Sequence, residues 1–160
     1  MIEPPQLLLP FAERDYVDMA HACRILGTSW ATVYRLHKMR KIRIVDYRYR
    51  SWKRVHYGSI VEYCDQLRNA YCIPDRKPPL AADFLRYRDE DVLPFTLADT
   101  IQTAEALAAI GRVHPNAIEV LIDEGEIEAY RIMPKSPWRI SRTSMIAYLN
   151  RICMKPSRTI

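Results

Sequence analysis

Glycine is scarce in this chain, with four residues in 160. Neither G-x-x-x-x-G-K-[ST] nor G-x-G-x-x-G occurs, so the loops whose backbone amides cradle nucleotide phosphates are missing. Apolar runs are short, and none approaches the roughly eighteen residues needed to cross a bilayer. Met1-Ile2-Glu3-Pro4-Pro5 has no basic start, and Leu7-Leu8-Leu9 is too short and proline-flanked to be the core of a secretory signal. The expected location is the cytoplasm. Cys23, Cys64, Cys72 and Cys153 are far apart, with no C-x-x-C and no histidine pair at metal-ligand spacing, which argues against zinc and against disulfides. Cys23, Cys64 and Cys153 fall on apolar helix faces and are expected to be buried thiols. His21, His37, His56 and His114 have no Ser, Cys or carboxylate partner at a recognisable catalytic spacing. These gaps lead to the expectation of a protein that is not an enzyme and carries no cofactor or metal.

What is present is a patterned, basic segment from Val17 to Val55. Met19, Ala22, Cys23 and Leu26 recur at i, i+3, i+4 and i+7, the spacing of a helix with one apolar face that starts after Asp18 and ends at Gly27. Ser29 is a good N-cap for a second helix over about Trp30 to Met39. Val33 and Leu36 turn that helix inward, leaving Trp30, Ala31, Tyr34, Arg35 and Lys38 on its other side. Two helices joined by a tight turn form the unit that lays its second helix in the DNA major groove. Ile42, Ile44, Tyr47, Tyr49 and Val55 then alternate with Arg43, Arg48, Arg50, Lys53 and Arg54, a two-stranded basic ribbon, or wing, with its turn near Arg50-Ser51. Ile60, Tyr63, Cys64 and Leu67 predict a third helix, opened by Gly58 or Ser59, that closes the small core.

The order V-D-M-A-H-A-C-R-I-L-G-T-S-W-A-T-V-Y-R-L (Val17 to Leu36), followed by Lys41-Ile42, the basic hairpin and V-H-Y-G-S-I-V-E-Y, resembles the excisionase-like branch of the MerR-type winged helix domains. The resemblance covers roughly fifty residues. It implies DNA binding through the second helix and the wing, as excisionases and small transcription regulators do. Trp30 stands where the family often has a charged residue. The DNA-binding residues expected on this basis are Ser29, Trp30, Ala31, Thr32, Tyr34, Arg35, Lys38, Arg48, Arg50, Lys53 and Arg54, with double-stranded DNA as the partner.

The plan then repeats. Val33 and Ile118, Leu36 and Leu121, Ile42 and Ile127, Val55 and Ile140, and Tyr63 and Tyr148 are all 85 residues apart. Gly111 echoes Gly27, with a turn one residue longer, so that Pro115 falls near the start of the second helix of the second copy. The expected fold is mainly α with small β wings: two tandem winged helix-turn-helix domains joined by a Pro-rich linker. An N-terminal arm covers residues 1–14, a first domain 15–70, the linker 71–94 with Pro74, Pro78 and Pro79, and a second domain 95–154. The linker is expected to be stiff and extended, apart from one or two helical turns over Ala81 to Arg88.

Charge separates the copies. Tyr16 to Cys64 carries ten cations against three carboxylates, a net +7, whereas Phe95 to Leu149 carries five against seven, a net −2. Phosphate neutralisation supplies most non-specific affinity, so the first copy is the one equipped for DNA. The second, with carboxylates on its own second helix, is expected to serve a homodimer or another protein contact; its wing cations Lys135, Arg139 and Arg142 leave a phosphate contact open. Transcription regulation, excisionase-type recombination and a small terminase-like packaging role all fit this pattern. An interaction module for an acidic protein or RNA is the alternative class.

Overall fold

The computed structural model describes residues 16–47, 52–74, 89–111, 114 and 116–154. The expected N-terminal arm, the helical turns over Ala81 to Arg88, and Pro115 lie outside the described residues. Small antiparallel sheets accompany a mainly helical chain. It divides into two compact units: one holds the described residues up to Cys64 together with Asp89–Val92, and the other those from Asp65 to 74 and from Leu93 on. The division departs from the expected boundaries at 70 and 95. Ile73, Val92 and Leu93, at the two ends of the expected linker, are buried, as is Phe95 beside it.

The first unit begins with β1 (Tyr16–Asp18) and α1 (Met19–Leu26). The Asp18 carboxylate accepts the His21 N–H at 2.6 Å, satisfying one of the amides that a helix start leaves unpaired. The buried face of α1 is Met19, Ala22, Ile25 and Leu26, with Cys23 only partly covered. Ile25 therefore takes the place expected of Cys23, and the larger side chain is the one withdrawn from water. Gly27, at φ 64°, ends the helix in the left-handed region. Ser29 caps α2 (Trp30–Lys38), in which Val33 and Leu36 are buried. The hairpin is β2 (Ile44–Tyr47) and β3 (Trp52–His56), and α3 (Tyr57–Ala70) follows directly. Instead of a bare two-stranded ribbon, the sheet has three strands in the order β1-β3-β2, with Val17 opposite Val55 and Ile44 also opposite Val55. A short helix, α4 (Asp89–Val92), joins this unit where no helix was expected, and His21 Nε2 meets Asp89 Oδ2 at 2.6 Å.

The second unit follows the same order. A 3-10 turn (Leu97–Asp99) leads into β4 (Thr100–Ile101), α5 (Thr103–Ile110), α6 (Ala117–Asp123), β5 (Ala129–Tyr130), β6 (Arg139–Ser141) and α7 (Arg142–Met154). Its sheet order, β4-β6-β5, matches the first. Its core of Ile101, Ala106, Ile118, Ile127, Ala129, Ile140 and Met145 has counterparts at Val17, Ala22, Val33, Ile42, Ile44, Val55 and Ile60. The offset is 84 before the interhelical turn and 85 after it, as one extra residue in that turn requires. Cys153 is exposed on α7, which corrects the expectation of a buried thiol: the apolar spacing does not survive to the last turn.

The correspondence reaches individual hydrogen bonds. The Ser59 hydroxyl donates to His56 O at 2.7 Å and accepts from Arg43 N at 3.0 Å. The Ser144 hydroxyl donates to Ser141 O at 2.9 Å and accepts from Glu128 N at 3.0 Å. In each unit one serine pins the start of the third helix to the base of the hairpin. Removing it orphans a backbone donor, which costs about 1–3 kcal/mol where water cannot replace the bond. Ser59→Ala and Ser144→Ala are both expected to destabilise the chain in denaturant unfolding. The loss should be larger for Ser59, which is buried where Ser144 is only half-buried.

Candidate nucleic-acid interface

With Val33 and Leu36 buried, the opposite side of α2 is presented outward. Trp30 is 53% exposed, and Ala31, Arg35 and Lys38 are exposed with it. Tyr34 is half-buried on the same side. Ser29 and Thr32, expected to touch DNA, are engaged locally: Ser29 Oγ accepts Thr32 N–H at 3.4 Å, and the two hydroxyls are 3.3 Å apart. Their contribution is to fix the start of the helix.

Beyond α2 the chain turns through residues that the sequence-based set left out. Arg40, Lys41 and Arg43 are all exposed between the helix and the hairpin. Arg40 N–H bonds to His37 O and Lys41 N–H to Leu36 O, the paired bonds that close a helix C-terminus when the residue after the cap is left-handed. Arg40 accordingly has φ 59°. The second unit makes the same two bonds, from Gly125 N to Ile122 O and Glu126 N to Leu121 O, with Gly125 at φ 73°. An arginine therefore occupies a backbone position that favours glycine, and it adds an exposed cation beside α2.

On the hairpin, Arg48 and Arg50 lie outside the described residues, as does the side chain of Trp52. Lys53 and Arg54 do not behave alike. Lys53 Nζ donates to Tyr34 Oη at 2.8 Å and sits 4.6 Å from the centroid of that ring. This hydrogen bond holds the Lys53 ammonium above the usual lysine range, with burial opposing and Tyr34 and Asp46 adding to it, so the group is charged throughout the neutral range. Arg54 Nη1 donates to the carbonyl of Lys53 at 3.2 Å. Lys53 is thus tied to the helix, whereas the sequence placed it with the wing cations that grip phosphate.

The second unit presents a different surface at the matching places. Glu119, Val120 and Asp123 are exposed on α6, as is Glu124 just after it. Asn116, before that helix, makes no side-chain cap, unlike Ser29 before α2. Trp138 is partly buried against the core of the second unit. Its ring faces Arg131 at 4.2 Å and meets Tyr71 edge-on at 5.8 Å. Among the described residues, no helix is long and apolar enough to cross a membrane. Comparison with known protein families, characterised proteins and solved structures finds no match to this chain.

The left-handed arginine yields a test of its own. A non-glycine residue in that region costs about 1–2 kcal/mol, part of which glycine gives back through its greater freedom when unfolded. Arg40→Gly is therefore expected to stabilise the chain by about 0.5–1 kcal/mol in denaturant unfolding. A loss of stability instead would show that the Arg40 side chain makes a compensating contact.

Proposed function

We propose that the first unit is a winged helix-turn-helix that binds duplex DNA, with the outer face of α2 in the major groove and the hairpin against the phosphate backbone. Its use is that of a transcription regulator or an excisionase-type recombination accessory factor. The observation that carries this reading is the exposed face of Trp30, Ala31, Arg35 and Lys38 on a short helix whose other face is buried. Arg40, Lys41 and Arg43 extend the same charge toward the hairpin. A helix seated this way offers its first turns to base edges and its flanking cations to phosphates. The carboxylates on α6 would be repelled by a phosphate backbone, so the second unit is assigned to a protein contact, with a second copy of the chain as one candidate.

Within α2, Arg35 is the one side chain able to give two parallel hydrogen bonds to guanine O6 and N7, a contact worth about 1–3 kcal/mol of discrimination. Trp30 supplies apolar contact to a thymine methyl or to the sugar edge.

Two measurements on the full chain test this. Duplex affinity measured against salt should fall steeply, and Lys38→Ala combined with Lys41→Ala should flatten the log–log slope by up to about two, near 0.9 for each phosphate that is no longer neutralised. Equal competition by an acidic peptide or by single-stranded RNA would instead support the interaction-module reading. Selection from a random-site library should return a different motif for Arg35→Lys, because lysine keeps the charge and loses the planar fork. An unchanged motif would assign Arg35 to phosphate.

A further inference from the structure

The contact between Tyr34 and Lys53 has a counterpart in the second unit that residue identity hides. Counting 85 positions on, Tyr34, Asp46 and Lys53 correspond to Glu119, Arg131 and Trp138. In the first unit the cation is Lys53, on the second hairpin strand. It donates to Tyr34 Oη on α2, lies over the Tyr34 ring, and stands opposite Asp46 in the register of the hairpin. In the second unit the cation is Arg131, just after the first hairpin strand. It meets the Glu119 carboxylate on α6 at 3.6 Å and stacks 4.2 Å from the centroid of Trp138, just before the second strand. Each set has one aromatic ring, one cation and one carboxylate, and all three roles have changed places. In both units the cation packs on the ring and joins the second helix to the hairpin.

We propose that these three positions form a helix–wing latch in each unit, and that Lys53 is a positioning residue whose ammonium is committed to the latch rather than to a phosphate. The second half of this proposal rests on the DNA-binding reading of the first unit; the first half does not. A cation over an aromatic ring and a cross-strand charge pair each contribute modestly at half-exposed sites. Together they add to the bond that His37 Nδ1 on α2 accepts from Ile44 N on the first hairpin strand, at 3.2 Å.

The latch is tested in the full chain by hydrogen exchange of the hairpin amides over Ile44–Tyr47 and Trp52–His56. Lys53→Met should speed their exchange by about two- to fivefold, and Tyr34→Phe, which keeps the ring and removes only the hydroxyl, by somewhat less. The triple variant Tyr34→Glu, Asp46→Arg, Lys53→Trp transplants the second unit's arrangement and should return exchange to the wild-type rate. Unchanged exchange in both Lys53→Met and Tyr34→Phe would overturn the latch, as would a triple variant that exchanges as fast as Lys53→Met. For the positioning role, Lys53→Met should weaken duplex binding with an unchanged salt slope, and Lys53→Arg should restore it. A slope lower by about one would make Lys53 a phosphate contact and overturn that half. If the wild-type chain does not bind duplex DNA, the proposed function fails, while the exchange rates still decide the latch.

Discussion

A hairpin with strands of four or five residues does not hold its shape alone in water. Several features of the first unit support it. Tyr16–Asp18 closes one edge of β3, the Ser59 hydroxyl fastens the base of the ribbon to α3, and Lys53 ties its face to α2. Val55 carries this arrangement inward: it is fully buried and stands opposite both Val17 and Ile44. The α2 surface keeps a fixed relation to the hairpin only because these separate supports act on the same few residues.

The two units have one skeleton and opposite surfaces. Their backbone bonds agree from the helix ends to the serine at the start of the third helix, while α2 and α6 carry cations and carboxylates respectively. Where the skeleton demands a left-handed residue, the second unit uses glycine and the first uses arginine. Stability alone favours the glycine. An exposed cation kept at a strained position is what is expected where surface charge serves binding.

Most of the helices could be read from the sequence, because i, i+3, i+4 spacing is a local signal and each of α1, α2 and α3 has a full apolar face. The repeat could also be read, since buried Val33, Ile42 and Val55 keep their character at Ile118, Ile127 and Ile140. β1 and β4 were not legible: they are three and two residues long, too short to show alternation, and their partners lie about forty residues away. Ile25 and Cys23 compete for one helix face, and spacing cannot rank them. Of the expected site residues, Trp30, Ala31, Arg35 and Lys38 lie together on one exposed face, and Ser29 and Thr32 cap the helix. Tyr34 and Lys53 bond to each other. Charge counting cannot distinguish a cation that faces solvent from one already held by a phenol. Arg40, Lys41 and Arg43 were visible as charge but not as part of the face, since only the turn after α2 brings them beside it.

The exchange of ring, cation and carboxylate among three matched positions also bears on ancestry. If a doubled gene gave rise to both units, the two arrangements are three substitutions apart, and every intermediate between them lacks the ring, the cation or the carboxylate. Such positions are expected to change together or hardly at all, so that two descendants grow unlike in spelling while their geometry stays the same. Kinship of this kind is written in which roles are filled, and residue-by-residue identity is a poor record of it.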